Sequence, residues 1–218
     1  MGQRRAEEPD TPVCSLNAFQ IRYLRDWQSL HAPFLKELGL SEMQPQGLSR
    51  SPTSRQLYSE VNAGKRRLDW CPGGLRIFEH LYPFFLSRGL DIAVPSIVYP
   101  RLSALVGEEA WIVTSDRVYS DENEHRQHVS QSGFLDKLIL PTVPQLAFLV
   151  AATLYRFRQV PFAVAKDCQP RYARTSTRLS DDLAVGVAFV PTSGLIFASY
   201  PMNAESSGIV TTDAFVLT

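Results

Sequence analysis

The chain carries no charge excess of either sign: Lys plus Arg and Asp plus Glu number 22 each in 218 residues. No one-signed field therefore steers it to polyanions, and strong general nucleic-acid binding is not expected. Cysteine is scarce. Cys14, Cys71 and Cys168 are widely spaced and include no CxxC pair, which argues against a disulfide scaffold and a structural zinc site and points to a reducing compartment. Long apolar runs are missing too. The longest, residues 143–155, is too short to span a bilayer and reads as a buried helix. Residues 1–12 are polar and mixed in charge, without the apolar region of a signal peptide or the Ser or Thr of a myristoylation signal. A cytoplasmic or virion location without secretion is expected, with no membrane partner.

What the chain does have is apolar and aromatic mass. Hydrophobic residues make up 44% and aromatics 11%, with 15 prolines against 12 glycines, so a substantial core built from short elements with fixed turns is expected. Neutrality also weakens repulsion between copies, which favours self-association.

Residues 1–14 read as a flexible arm and residues 15–218 as a single helix-rich domain, with a loop at 41–54 and a β-rich segment at 183–218. The expected fold class is α+β, mainly helical: a helical core with a C-terminal antiparallel β-hairpin region. Ser15 is placed to cap a helix reaching His31, with Phe19, Tyr23, Trp27 and Leu30 along one face. At that helix's C-terminal end His31 reads as a partly charged cap. Within residues 55–67 a short helix carrying Leu57, Tyr58 and Val61 is expected, ending near Asn62-Ala63-Gly64 and followed by Lys65-Arg66-Arg67. Pro72 opens another, carrying Leu75, Phe78, Leu81, Tyr82 and Phe85 at helical spacing to Gly89 and kinked near Glu79 by Pro83.

Residues 94–100 have strand composition, but Pro95 and Pro100 demote them to an edge strand or extended loop. Residues 110–114 and 117–119 read as strands, residues 116–132 as an exposed polar loop and residues 145–158 as a core helix. Residues 183–190 and 195–200 flank Pro191-Thr192-Ser193-Gly194 as a hairpin with a four-residue loop. A strand-like piece at 209–217 ends one residue before the terminus, as in a truncated reading frame.

Few constellations could carry chemistry. Cys71 precedes a predicted helix, whose dipole would lower a thiol pKa, and His80 is an available base, so a small cysteine-dependent hydrolase is one reading. A buried cysteine beside Trp70 and Pro72 is the plainer one. His125 and His128 near Asp121, Glu122 and Glu124 suggest a metal site, but the HExxH order is missing and a solvated charge cluster is favoured. Asp181 and Asp182 are adjacent, so in an extended chain they point apart. No cofactor and no metal is expected, and an enzyme is less expected than a non-enzymatic protein.

Two basic segments are nucleic-acid candidates: Lys65, Arg66 and Arg67, and Arg171, Arg174 and Arg178. Either could meet RNA phosphate non-specifically, although the first triplet reads more readily as a solvated helix end and the second at least as readily as a loop whose arginines pair with Asp167, Asp181 and Asp182. Trp27, Phe78, Tyr82 and Phe85 are the self-association candidates, and the principal partner expected is the chain itself, as a homo-oligomer.

Three stretches carry a resemblance: Tyr23-Leu24-Arg25-Asp26-Trp27; Pro72-Gly73-Gly74-Leu75 followed by Phe78, Leu81, Phe84 and Phe85; and Leu138 to Leu146 around Pro141 and Pro144. Over about residues 20–150 the order of these features resembles the coat proteins of partitiviruses, double-stranded RNA viruses of plants and fungi. The resemblance implies a mainly helical shell domain that dimerises, assembles into a capsid and encloses RNA without catalysis. The chain is shorter than such a coat protein.

Overall fold

The structure is a computed structural model that describes residues 31–43, 59–61, 63–119, 127, 139–157, 171–202 and 209–217. Among the described residues seven strands form the framework: β1 Arg67–Cys71, β2 Asp91–Ala93, β3 Ala110–Tyr119, β4 Tyr172–Arg178, β5 Leu183–Val190, β6 Gly194–Pro201 and β7 Ile209–Leu217. Their order across the sheet is β1-β3-β7-β4-β5-β6-β2. β7 joins the two parts: it runs antiparallel to β3 along Thr211 to Leu217, and parallel to β4 at Ile209 and Val210.

This architecture corrects the mainly helical expectation. Among the described helices, α1 Ala32–Glu37, α2 Tyr82–Leu86 and α3 Tyr99–Ala104 are single short turns, and only α4, Val143–Phe157, is long. β4 is the strand whose sequence hid it. Its core-facing residues are Ala173, Thr175 and Thr177, all buried, and threonine on an inner face disguises the apolar half of a strand's alternation. The hydroxyls are satisfied: Thr175 Oγ1 donates to the Val185 carbonyl at 2.7 Å, and Thr177 Oγ1 accepts from the Val143 amide at 2.9 Å.

The helix expected from Pro72 to Gly89 is also revised. β1 continues through Cys71, a turn follows with Gly74 at φ 75°, and a π-helical turn spans Ile77–Leu81 before α2 begins. Pro83 has no amide to donate to the carbonyl four residues earlier, so the wider turn precedes it and the proline sits at the start of α2, where no donor is needed. Residues 94–100 are likewise not a strand. The Pro95 carbonyl accepts from the Val98 and Tyr99 amides at 2.9 and 3.0 Å, and Pro100 lies in the first turn of α3.

β5 and β6 pair from Leu183↔Pro201 to Val190↔Gly194, with a hairpin loop of Pro191, Thr192 and Ser193, one residue shorter than expected. β7 occupies the last strand-like piece, and the two expected strands at 110–119 are one continuous β3. α4 is buried along residues 143–152 and packs on β5, β1, β4 and the π turn, filling the centre of the core. Gln145 secures its start: Oε1 accepts from the Thr142 amide at 2.8 Å while Nε2 donates to the Glu108 carbonyl at 3.2 Å. The 1–14 arm, the 15–30 part of the first helix and most of the 41–54 loop lie outside the described residues.

Candidate functional site

Cys71 closes β1, opposite Ala110 on β3, and is fully buried. Burial pushes its thiol well above the usual range, and the negative charges of Asp69 and Glu109 push it the same way. Its Sγ donates to the Pro72 carbonyl at 3.8 Å. The expected helix dipole is absent because Cys71 ends a strand, not a turn that opens a helix. His80 lies on the π turn, where Nδ1 accepts from the Arg76 amide at 2.9 Å. Among the described residues no histidine bonds Cys71, and its full burial places it in the core.

The basic segments are divided by burial. Arg66 is buried, pairs with Glu60 at 2.7 Å and lies over the Phe215 ring, whereas Lys65 is exposed and Arg67 half-buried on β1. Arg174 is buried on β4, its guanidinium over the Tyr200 ring and donating to the Met202 carbonyl at 3.4 Å. Arg171, just before this strand, and Arg178, at its far end, are both exposed. The central cation of each trio thus packs inward, and neither forms a continuous basic face of three. His125 and His128 lie outside the described residues, among which no group of three or more His, Cys, Asp and Glu side chains converges.

An ionic cluster that the sequence did not reveal joins α4, β1 and the start of α1. Arg156 Nη1 donates to Asp69 Oδ1 at 2.6 Å, and Arg156 Nη2 bonds His31 Nδ1. His31 is only 5% exposed. Burial first, and the Arg156 cation second, lower its pKa to about 3, against a smaller opposing effect of Asp69. His31 is accordingly a neutral acceptor and not the partly charged cap expected. This buried knot ties the three elements together.

The aromatic candidates divide as well. Phe85 is fully buried, its ring 5.3 Å from Phe84 and 6.2 Å from Phe189, so it belongs to the core and not to a contact surface. Phe78 and Tyr82 are half-buried, and Trp27 lies outside the described residues. Phe78 lies 5.0 Å from Tyr99, whose residue is 51% exposed. Across residues 95–104 only Val98 and Leu102 are buried, so this segment is largely exposed and anchored by those two side chains. Of the exposed large hydrophobics Leu86, Ile97, Tyr99 and Val106, three fall between residues 97 and 106. Sequence reasoning missed Ile97 and Tyr99 because a strand reading assigns alternate residues inward.

No protein-family model, curated protein or solved structure matches the chain. Among the described residues no helix is long and apolar enough to cross a membrane.

Proposed function

We propose that this chain is a structural protein that works by associating with copies of itself. The observation that supports this most is that exposed Ile97, Tyr99 and Val106 fall within one short stretch of chain, with Phe78 against Tyr99. Single exposed apolar residues are ordinary on a protein surface, but a contiguous group marks a contact site. Aromatic side chains suit such a site because they bury a large area at small entropic cost. Net charge adds nothing against it, since 22 cations balance 22 anions.

Self-association is the part of the coat-protein reading that this surface supports. The helical shell domain implied by the resemblance does not accord with the seven-stranded sheet, so a closed, RNA-containing particle is left as one possible form of the assembly. Size-exclusion chromatography with light scattering tests the proposal. The native chain should run as a dimer or larger species at high micromolar concentration, and Ile97→Ser with Tyr99→Ser should shift it to monomer. A compact native monomer at that concentration overturns it. Negative-stain images of the same material separate particles from discrete oligomers.

A further inference from the structure

The sheet ends in unequal edges. At one end β1 buries Asp69, Trp70 and Cys71, whereas at the other β2 exposes Asp91 and Ala93 and buries only Ile92. The Asp91 amide donates to the Ser193 carbonyl at 2.9 Å, towards β6. Successive amides of a strand point to opposite sides, so the Ile92 amide points away from β6, where no further strand lies among the described residues. An amide so placed is a template for an added strand. This one is already taken: the Asp91 side chain turns to the edge, and its Oδ1 accepts from the Ile92 amide at 2.7 Å. On one side the Leu90 amide is drawn off by the Phe85 carbonyl at 3.0 Å, and on the other the exposed Pro95 has no N–H to carry β2 further. We propose that the Asp91 carboxylate guards this edge, keeping the β2 of a second copy from pairing with it.

The excluded partner follows from the direction of that amide. Two β2 edges meeting antiparallel about a two-fold axis would set Ile92 against Ile92, each amide donating to the other's carbonyl, and the pairing would close at two copies. Folding alone does not account for the carboxylate. An outward amide on an exposed edge is satisfied by water, so the side chain adds little to the stability of one copy, and what it withdraws is the donor that a neighbouring strand needs. Its charge acts in the same sense. In the antiparallel arrangement the two Asp91 carboxylates would stand at diagonal positions on one face, where like charges repel.

The guard operates whether or not native copies associate through residues 97–106, so its failure and the failure of that reading are separate results. Sedimentation equilibrium on the full chain, on Asp91→Ala, on Asp91→Asn and on Asp91→Ala with Ala93→Lys tests it, with thermal melts confirming equal folding. Asp91→Ala frees the amide and should raise the association constant by about tenfold, as a reciprocal pair of ordinary hydrogen bonds would. Asp91→Asn keeps an Oδ1 acceptor without the charge and should stay within about threefold of the native value. A lysine at exposed Ala93 should bring the alanine variant back to within about threefold as well. In Asp91→Ala the Ile92 amide should also exchange more slowly as concentration rises, the mark of a bond between copies. No increase in Asp91→Ala, or an equal increase in Asp91→Asn, overturns the guard. An increase without slowed exchange at Ile92 places the new contact elsewhere and overturns it too.

Discussion

Arg156, in the last turn of α4, donates to Asp69 on β1 at 2.6 Å across 87 positions of sequence. Their side chains are 12% and 5% exposed, so this is a buried ion pair. Such a pair adds little over a well-packed apolar replacement, yet removing one member leaves the other charge buried without its partner. Asp69→Ala or Arg156→Ala should therefore cost about 3–5 kcal/mol, while Asp69→Leu with Arg156→Met should cost clearly less than the sum of the single changes. Urea unfolding of the four proteins measures this, and additivity of the single changes would refute the coupling.

Burial, and after it the same guanidinium, governs the titration of His31. In the unfolded chain the imidazole takes a proton near its ordinary pKa of 6.5, but in the folded protein it does so only near about 3. Below pH 6.5 the unfolded state thus binds more protons, and stability falls as the pH falls towards about 3. The slope from this residue is at most ~1.4 kcal/mol per pH unit, and it vanishes above the unfolded pKa. His31→Gln keeps a neutral acceptor that does not titrate. It should flatten the stability profile between pH 6 and about 4, and an unchanged slope there would show that His31 charges freely in the fold.

At the opposite edge of the sheet, Gly194 adopts φ 102°, and a Cβ there would stand 2.1 Å from the Asp91 carbonyl oxygen. That oxygen belongs to β2, which pairs with β6 at Gly194 itself, so the obstacle is backbone and cannot rotate aside. Gly194→Ala must displace β2 or unwind the start of β6. A loss of about 2–4 kcal/mol is expected from strain and the broken edge pairing. Hydrogen exchange at the Ile92 and Leu195 amides should rise more than exchange at the core of β5.

How legible each element was depended on whether its partners were local. The β5–β6 hairpin and β7 are dense in β-branched and aromatic residues, and their boundaries follow from the turn residues between them. β4 escaped because Thr175 and Thr177 are buried by bonds to β5 and to the start of α4, partners that a linear pattern does not show. α3 escaped because Pro95 and Pro100 mark a helix start as readily as a strand flank. The exposed stretch at residues 95–104 and the His31 cluster are tertiary facts. Nothing local separates exposed Tyr99 from buried Phe85, and His31 loses its charge first to burial and then to a residue 125 positions away.

Cys71 offers the sharpest chemical contrast between the core reading and a catalytic one. A catalytic thiolate reacts with a small disulfide or maleimide in the native state at neutral pH. Fully buried, and held as a thiol by desolvation and by the charges of Asp69 and Glu109, Cys71 should react only when β1 and β3 separate. In a Cys14→Ser and Cys168→Ser background, its modification rate should rise with urea in step with the population of the open state and fall to the baseline in buffer. Cys71→Ala would remove the signal at a stability cost of about 1–2 kcal/mol for the lost packing. Rapid stoichiometric labelling of the native protein, at a rate independent of urea, would instead make Cys71 an accessible nucleophile and return the hydrolase reading to contention.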